Sequence, residues 1–201
     1  MPDHHQPDFR ETPCYSSNSY VIKECKMNKG FIHIYTGDGK GKTTAALGLT
    51  FRSAGRKRKT LFVQFLKGIE TGELFIMTEN PYIEHLNVAE TTRFFNTLPE
   101  NEQSEMRNRA RREWADLIVK IEDGNYDVIV LDEIMAALHH ELIEENAVIE
   151  LLKSKQEKTE MILTGRNASS VLIGMADLVT EMRKVKHYYD NGVLSRKGIE
   201  Y

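Results

Sequence analysis

The sequence predicts an α/β protein built on a mostly parallel central sheet that helices cover on both faces. Short, continuous apolar runs alternate with segments of helical periodicity over most of the chain. Parallel strands that are buried on both faces have this pattern, because the crossover helices cover the sheet. The 201 residues also suffice to bury a core without disulfides or metal ions. We therefore expect a single α/β domain.

Apolar runs predict the strands, and helical periodicity with typical end residues predicts the helices. Predicted strands comprise residues 31–35, 60–65, 82–88, 128–131, 160–164 and 178–182. Predicted helices comprise residues 42–54, 72–79, 99–122, 134–138, 146–153 and 169–175. Gly55 and Gly124 are typical of helix ends, and Asn80 with Pro81 stops the second helix. In such a sheet ligands bind beyond the carboxyl ends of the strands, so we expect the functional residues there.

The N-terminal residues differ from the rest of the chain. Residues 1–29 contain Cys14 and Cys25, several prolines and a serine-rich stretch without periodicity. We interpret them as a flexible leader or arm, and residues 30–201 as the globular domain. The two cysteines are too few for a disulfide framework or a zinc site, and the leader lacks the features of a secretory signal. These observations predict a cytoplasmic protein.

The charge balance excludes some classes of partner. The chain has 27 basic and 30 acidic residues, for a formal net charge of -3. A strongly basic nucleic-acid-binding protein would have an excess of lysine and arginine. The apolar runs are far shorter than the roughly 20 residues of a membrane-spanning helix. We therefore expect neither a nucleic acid nor a membrane among the partners.

A glycine-rich loop between the first strand and the first helix carries the strongest functional signal. The predicted ATP-binding residues in it are Gly37, Asp38, Gly39, Lys40, Gly41, Lys42, Thr43 and Thr44. Glycines let backbone N–H groups surround phosphate oxygens, and the helix N-terminus adds a partial positive charge. Lys42 supplies a full charge, and Thr43 supplies a hydroxyl for Mg²⁺. This motif predicts the fold of phosphate-loop (P-loop) NTPases, of the recombinase-like type. The loop is one residue shorter than the common pattern, so we expect the phosphate chain to sit differently.

An acidic pair follows the apolar strand at 128–131. Asp132 and Glu133 would lie at the same edge of the sheet as the loop, where carboxylates hold Mg²⁺. In an alternative interpretation, Asp132 caps the following helix. Arg52 and Arg166 are candidate ATP contacts because guanidinium groups match phosphate oxygens. The alternative for both arginines is a role outside the site, for Arg52 a surface salt bridge. The sequence shows no serine or cysteine nucleophile set, zinc cluster or dinucleotide fingerprint.

Several blocks of the sequence resemble the ATP:corrinoid adenosyltransferases of the cobalamin pathway. They are residues 37–49, 52–55, 63–68, 130–133, 163–168, 176–183, 185–187 and 198–201. The resemblance spans roughly residues 30–201, and the shortened phosphate loop is itself a feature of that family. It implies a Mg²⁺-dependent transferase with ATP and a corrinoid as substrates, in the synthesis or salvage of adenosylcobalamin.

The resemblance also implies a mechanism and partners. In this family a reduced Co(I) corrinoid attacks the 5′-carbon of ATP, which gives an adenosylcorrinoid and inorganic triphosphate. Because Co(I) is itself the nucleophile, the protein would position the substrates and stabilise the leaving group. Lys42, Thr43 and Glu133 are then the catalytic residues, with Thr43, Glu133 and Asp132 around Mg²⁺. The family further implies ATP bound in the reverse sense to ordinary P-loop enzymes, a homodimer, and an electron-donor protein such as a flavodoxin.

The corrinoid contact is predicted in the loop after the third strand. Family members use aromatic residues there to exclude the lower axial ligand of cobalt, and Phe94 and Phe95 are the counterparts. The sequence departs from many relatives at Asn96, near which they carry a tryptophan. The alternative is that both phenylalanines pack into the core. Trp114, the single tryptophan, is predicted to pack from the long helix.

Three other functions stay open at this point. One is a generic P-loop ATPase or kinase, which would release ADP and phosphate. Another is an ATP-dependent nucleic-acid-binding module, whose affinity would be salt-sensitive. The third is a non-catalytic protein that binds ATP and a corrinoid. The product that is formed distinguishes these functions from adenosyl transfer.

Overall fold

The computed structural model describes residues 29–201. Almost all of the predicted leader, with Cys14 and Cys25, lies outside the described residues. The division of the chain after residue 29 therefore stays a prediction. Within the described part, no helix is both long enough and apolar enough to cross a membrane.

Strands and helices alternate along the described chain. The strands are β1 (Ile32–Thr36), β2 (Thr60–Phe65), β3 (Ile83–Val88), β4 (Val128–Asp132), β5 (Glu160–Thr164) and β6 (Leu178–Glu181). The helices are α1 (Lys42–Ala54), α2 (Gly72–Glu79), α3 (Glu100–Asp123), α4 (Ile134–His139), α5 (Glu145–Ser154) and α6 (Ser170–Met175). Short 3₁₀ turns at Phe95–Thr97 and Tyr188–Asn191 were not predicted. Every predicted strand and helix is present, and the boundaries agree closely.

The six strands form one parallel sheet in the order β3-β2-β4-β5-β1-β6. Strands β2 and β4 are buried along their whole length, as their continuous apolar runs predict. The predicted single α/β domain is therefore confirmed. Strand β5 lies between β4 and β1, so one strand separates the acidic pair from the phosphate loop.

Helices cover both faces of the sheet, and the side chains of β2 show how the two core layers divide. Phe65 packs in one layer with residues of α3, α4, α5 and α6, while Phe62 packs in the other with residues of α1 and α2. Trp114 of α3 is 8% exposed, and its ring lies 6.3 Å from that of Phe65 between centroids. The prediction that Trp114 packs in the core is confirmed.

The carboxyl ends of the strands meet at one edge of the sheet. Strand β1 ends at Thr36, immediately before the phosphate loop, and β4 ends at Asp132. Thr36 is paired with Glu181 of β6, and Tyr35 with Thr164 of β5. The sequence motifs on β1, β4 and β5 therefore reach the same edge, and the candidate site lies there.

Candidate active site

The phosphate loop connects β1 to α1 through two glycines in the left-handed region. Gly37 has φ +98° and Gly41 has φ +118°, conformations that residues with a Cβ rarely adopt. The Lys42 ammonium donates to the carbonyl oxygens of Gly37 (2.7 Å) and Gly39 (2.8 Å). Lys42 is only 7% exposed, and burial lowers its pKa while the nearby Glu133 carboxylate opposes that shift. The loop thus encloses the Lys42 ammonium, and its contact with phosphate stays a prediction.

The segment after β6 packs directly against this loop. The Gly39 N–H donates to the Met182 carbonyl oxygen at 2.6 Å. A Cβ would lie 2.5 Å from that oxygen at Gly37 and 2.6 Å from it at Gly39, so both positions need glycine. The Gly39 N–H is therefore bonded to another part of the chain. The motif, in contrast, predicts loop N–H groups that face phosphate oxygens.

The two residues of the acidic pair have different surroundings. Asp132 is fully buried, and its carboxylate accepts from the Thr164 hydroxyl (2.7 Å) and from the Lys67 ammonium (2.8 Å). Glu133 has φ +63°, and its N–H donates to the Thr164 hydroxyl at 2.9 Å. Burial raises the pKa of Glu133, and the neighbouring Asp132 carboxylate raises it further. Asp132 does not cap α4, since that helix begins after Glu133 without a side-chain cap.

Lys67 is a site residue to which the sequence reasoning assigned no role. It follows the end of β2, and its side chain is 28% exposed. Its ammonium contacts the Asp132 carboxylate, and its side chain lines a cavity together with Lys42. The available signal was a lysine just beyond a buried strand at the ligand-binding edge of the sheet.

A cavity of about 590 Å³ unites the loop with parts of the chain that are distant in sequence. Its polar wall includes Lys42, Thr43, Glu133 and Arg166. Its apolar side chains are Leu47 and Phe51 of α1, Ile76 of α2, and Ile199 and Tyr201 near the end of the chain. In the sequence, residues 198–201 contribute to the family resemblance, and no signal in them predicts a place in the site.

The two predicted arginines have different positions. Arg166 lines the cavity, and its guanidinium lies 3.9 Å from the Asp38 carboxylate. Arg52 lies in the last turn of α1, ten residues after Lys42, which is about 15 Å along a helix axis. Arg52 is not among the residues that line this cavity. The prediction that Arg52 contacts ATP therefore lacks support from the geometry.

The two predicted corrinoid contacts also differ from each other. Phe94 is 85% exposed, whereas Phe95 is 5% exposed. The 3₁₀ turn directs the Phe95 ring onto His140, with centroids 4.6 Å apart, and the Arg107 guanidinium lies 5.1 Å from the ring centre. The alternative of core packing thus describes Phe95 in this structure, and Phe94 is the phenylalanine that a ligand can reach.

The residues around the loop fit a magnesium ion bound together with phosphates. Among residues 29–201, no three His, Cys, Asp or Glu side chains form a cluster that could hold a metal. Mg²⁺ usually takes one or two carboxylates and completes its shell with substrate phosphates and water. Thr43 and Glu133, which share the cavity with Lys42, are suitable ligands for that arrangement. Asp132 is less suitable, because Lys67 and Thr164 already engage its two oxygens.

Comparison with known proteins agrees with this geometry. The family model described as ATP:corrinoid adenosyltransferase BtuR/CobO/CobP matches residues 28–201. A corrinoid adenosyltransferase of Sinorhizobium sp is 36% identical over 181 residues, covering 86% of this chain and 81% of that protein. A corrinoid adenosyltransferase of Escherichia coli (strain K12) is 31% identical over 181 residues, covering 90% of each.

A solved structure supports the fold alone. EccC (ATPases 2 and 3) of Thermomonospora curvata superposes with a TM-score of 0.52 at 13% identity, over 80% of this chain and 32% of that chain. This likeness agrees with the predicted P-loop NTPase-like fold. The family match, in contrast, spans all the elements described above and establishes a transferase with ATP and a corrinoid as substrates. The chain therefore belongs to the ATP:corrinoid adenosyltransferase family.

Proposed function

We propose that the chain transfers the 5′-deoxyadenosyl group of ATP to the Co(I) centre of a reduced corrinoid and releases triphosphate. The observation that carries this proposal is the cavity that the phosphate loop, with Lys42, forms together with Glu133. Among the described residues that line it, none is a serine or a cysteine that could act as the nucleophile. A site of this kind is suited to a reaction in which a substrate supplies the nucleophile.

The balance of the reaction fits such a site. The Co(I) electron pair forms the cobalt–carbon bond to C5′, the C5′–oxygen bond breaks, and triphosphate leaves with the bonding electrons. The cobalt is formally oxidised to Co(III), and ATP is the alkylating partner. The tasks left to the protein are to orient ATP and to stabilise the charge on the leaving group. Lys42 is the group at the loop that serves the second task.

Magnesium bound beside the phosphate loop would also stabilise the leaving triphosphate. Thr43 and Glu133 would hold it, and it would supply positive charge to the triphosphate oxygens when bound. The raised pKa of Glu133 means that a cation near this carboxylate would relieve the penalty of its burial. Removal of Mg²⁺ by a chelator is expected to abolish turnover, and its restoration by added Mg²⁺ is the matched control.

The decisive experiment supplies the protein with Mg-ATP and a corrinoid under strongly reducing, oxygen-free conditions. We expect the light-sensitive spectrum of an adenosylcorrinoid together with triphosphate. Lys42→Ala should lower kcat about 10²–10³-fold, the usual loss when a preorganised group at the developing charge is removed. Lys153→Ala, which breaks an exposed pair with Glu150 on α5, is the matched control and should retain full activity. Formation of ADP and phosphate without a cobalt–carbon bond would show a generic ATPase or kinase instead.

The biological setting is part of the same proposal. We propose a cytoplasmic homodimer that serves adenosylcobalamin synthesis or salvage and accepts electrons for cobalt reduction from a protein such as a flavodoxin. The family resemblance supports the dimer, the pathway and the donor, and the low cysteine content supports the location. Light scattering after gel filtration tests the dimer. Adenosylation driven by reduced flavodoxin in place of a chemical reductant tests the donor.

A further inference from the structure

Residues 196–201 form a compact turn, here called the tail turn, that lies over the phosphate loop. The Gly198 N–H donates to the Tyr201 carbonyl oxygen (2.6 Å), and the Glu200 N–H donates to the Arg196 carbonyl oxygen (2.9 Å). Gly198 has φ +76°, a conformation that favours glycine. This local structure directs the Glu200 side chain towards the loop.

The Glu200 carboxylate connects the tail turn to Lys40 of the phosphate loop across 160 residues of sequence. The Lys40 ammonium donates to the carboxylate at 2.5 Å and to the Tyr188 hydroxyl at 2.6 Å. The Tyr188 hydroxyl also contacts the carboxylate. The Arg196 N–H (2.7 Å) and guanidinium (3.3 Å) hold the carboxylate from within the turn. Although its partners are at the surface, the Glu200 side chain is only 16% exposed.

The charges of this cluster support one another. Arg196 first, then Lys40 and Tyr188, hold the pKa of Glu200 well below its usual range. Glu200 and Tyr188 in turn raise the pKa of Lys40. Both cations also lie against the Tyr188 ring, Lys40 at 5.3 Å and Arg196 at 4.9 Å from its centre. The connection therefore stays charged at neutral pH.

The two lysines of the loop have different tasks. Lys42 is enclosed by the loop and bonded to its carbonyl groups, whereas the more exposed Lys40, on the same cavity, is bonded to the tail turn and Tyr188. The adjacent Gly39 N–H is bonded to Met182, which belongs to the same C-terminal stretch. Two neighbouring loop residues are thus bonded to residues 182–201.

We propose that Glu200 and Tyr188 are positioning residues of the ATP site, which act through Lys40 to hold the phosphate loop in its polyphosphate-binding form. This inference rests on the proposed function, because it takes ATP as the ligand. Lys40 is then the link between loop and tail turn, and not a direct ligand of the phosphates. In this proposal Glu200 and Tyr188, although they line the cavity, act on the ligand through Lys40.

The test is calorimetric titration of the full chain with Mg-ATP and, separately, with inorganic triphosphate, without a corrinoid. Glu200→Gln and Lys40→Ala should each weaken both ligands by a similar factor, about two- to fivefold, the range for exposed ion pairs. The double variant Glu200→Gln/Lys40→Ala should bind both ligands no more weakly than either single variant, because each substitution breaks the same link. Lys40→Arg should restore most of the affinity. In turnover, KM for ATP should rise by the same factor with kcat unchanged.

Controls separate positioning from loss of folding. Glu150→Gln breaks a comparable carboxylate–lysine pair on α5 and should leave both affinities unchanged. Thermal melting of each variant is recorded in parallel. If Glu200→Gln does not fold, Tyr188→Phe removes a single hydroxyl from the same cluster and should weaken both ligands by a smaller factor.

The outcomes that overturn the inference are distinct. Unchanged affinity in Glu200→Gln refutes it. A loss in Lys40→Ala without a loss in Glu200→Gln makes Lys40 a direct phosphate ligand and also refutes it, as do additive losses in the double variant. If the unsubstituted chain binds ATP yet forms no adenosylcorrinoid, the proposed function fails, while the binding comparison still decides the role of Glu200.

Discussion

Replacement of Lys67 by methionine tests the buried network behind the candidate active site. Asp132 is fully buried, and its carboxylate lies 2.8 Å from the Lys67 ammonium. Methionine keeps an unbranched apolar stem but removes the charge, so the carboxylate loses this charged partner. Removing one partner of a buried ion pair costs about 3–5 kcal/mol, and the partial exposure of Lys67 favours the lower end, about 3 kcal/mol.

Urea denaturation at neutral pH measures this loss as a change in the free energy of unfolding. For a domain of this size, about 3 kcal/mol corresponds to a fall in Tm of about 6–12 °C. The double variant Lys67→Met/Asp132→Asn should recover part of the loss, because no unpaired charge is left in the interior. Lys153→Met breaks the exposed pair with Glu150 and should change stability by no more than about 0.5 kcal/mol.

Two results would refute this reasoning. One is a loss below about 1 kcal/mol for Lys67→Met, which is what an exposed ion pair gives. The other is a double variant that is less stable than Lys67→Met, which would mean that the cost does not come from the unpaired Asp132 carboxylate. In either case the 2.8 Å contact between Lys67 and Asp132 would not stabilise the protein as a buried ion pair does.

The remaining predictions concern the aromatic loop, the glycines and Glu133. Phe95→Ala should lower the free energy of unfolding by about 3–5 kcal/mol, whereas Phe94→Ala should change it by no more than about 0.5 kcal/mol; equal losses would contradict the burial difference. Gly39→Ala should weaken ATP binding and destabilise by about 1–3 kcal/mol, while Gly48→Ala, where a Cβ meets nothing within 4 Å, should stabilise by about 0.4–1 kcal/mol. Burial raises the pKa of Glu133 above its ordinary value of 4.5. The folded state therefore loses stability as the pH rises from 4.5 through the raised pKa. Glu133→Gln should therefore stabilise the protein at neutral pH but not below pH 4.5 in urea titrations, and a stabilisation independent of pH would contradict this cause.

Local sequence signals predicted the parts of the site that depend on one strand and the loop after it. Lys42, Thr43 and Glu133 share a cavity because each follows a buried strand, and parallel strands bring their carboxyl ends to one edge. Arg52 was predicted from its residue type, but its place in the last turn of α1 keeps it out of that cavity. The same kind of signal does not show which of two adjacent aromatic residues turns inward. Phe95 is buried and Phe94 exposed because of a short 3₁₀ turn that was not predicted.

The sequence by itself determined the class of fold and the strands and helices, because periodicity, glycine turns and the phosphate-loop motif are local properties of the chain. The roles of the site residues stay predictions. Only the tertiary structure decided which distant residues meet. It places Lys67 on Asp132, 65 residues away, and Glu200 on Lys40, 160 residues away. Such pairs depend on the order of strands in the sheet and on the path of the last segment over the loop. Both result from packing of the whole domain, and no single segment encodes them.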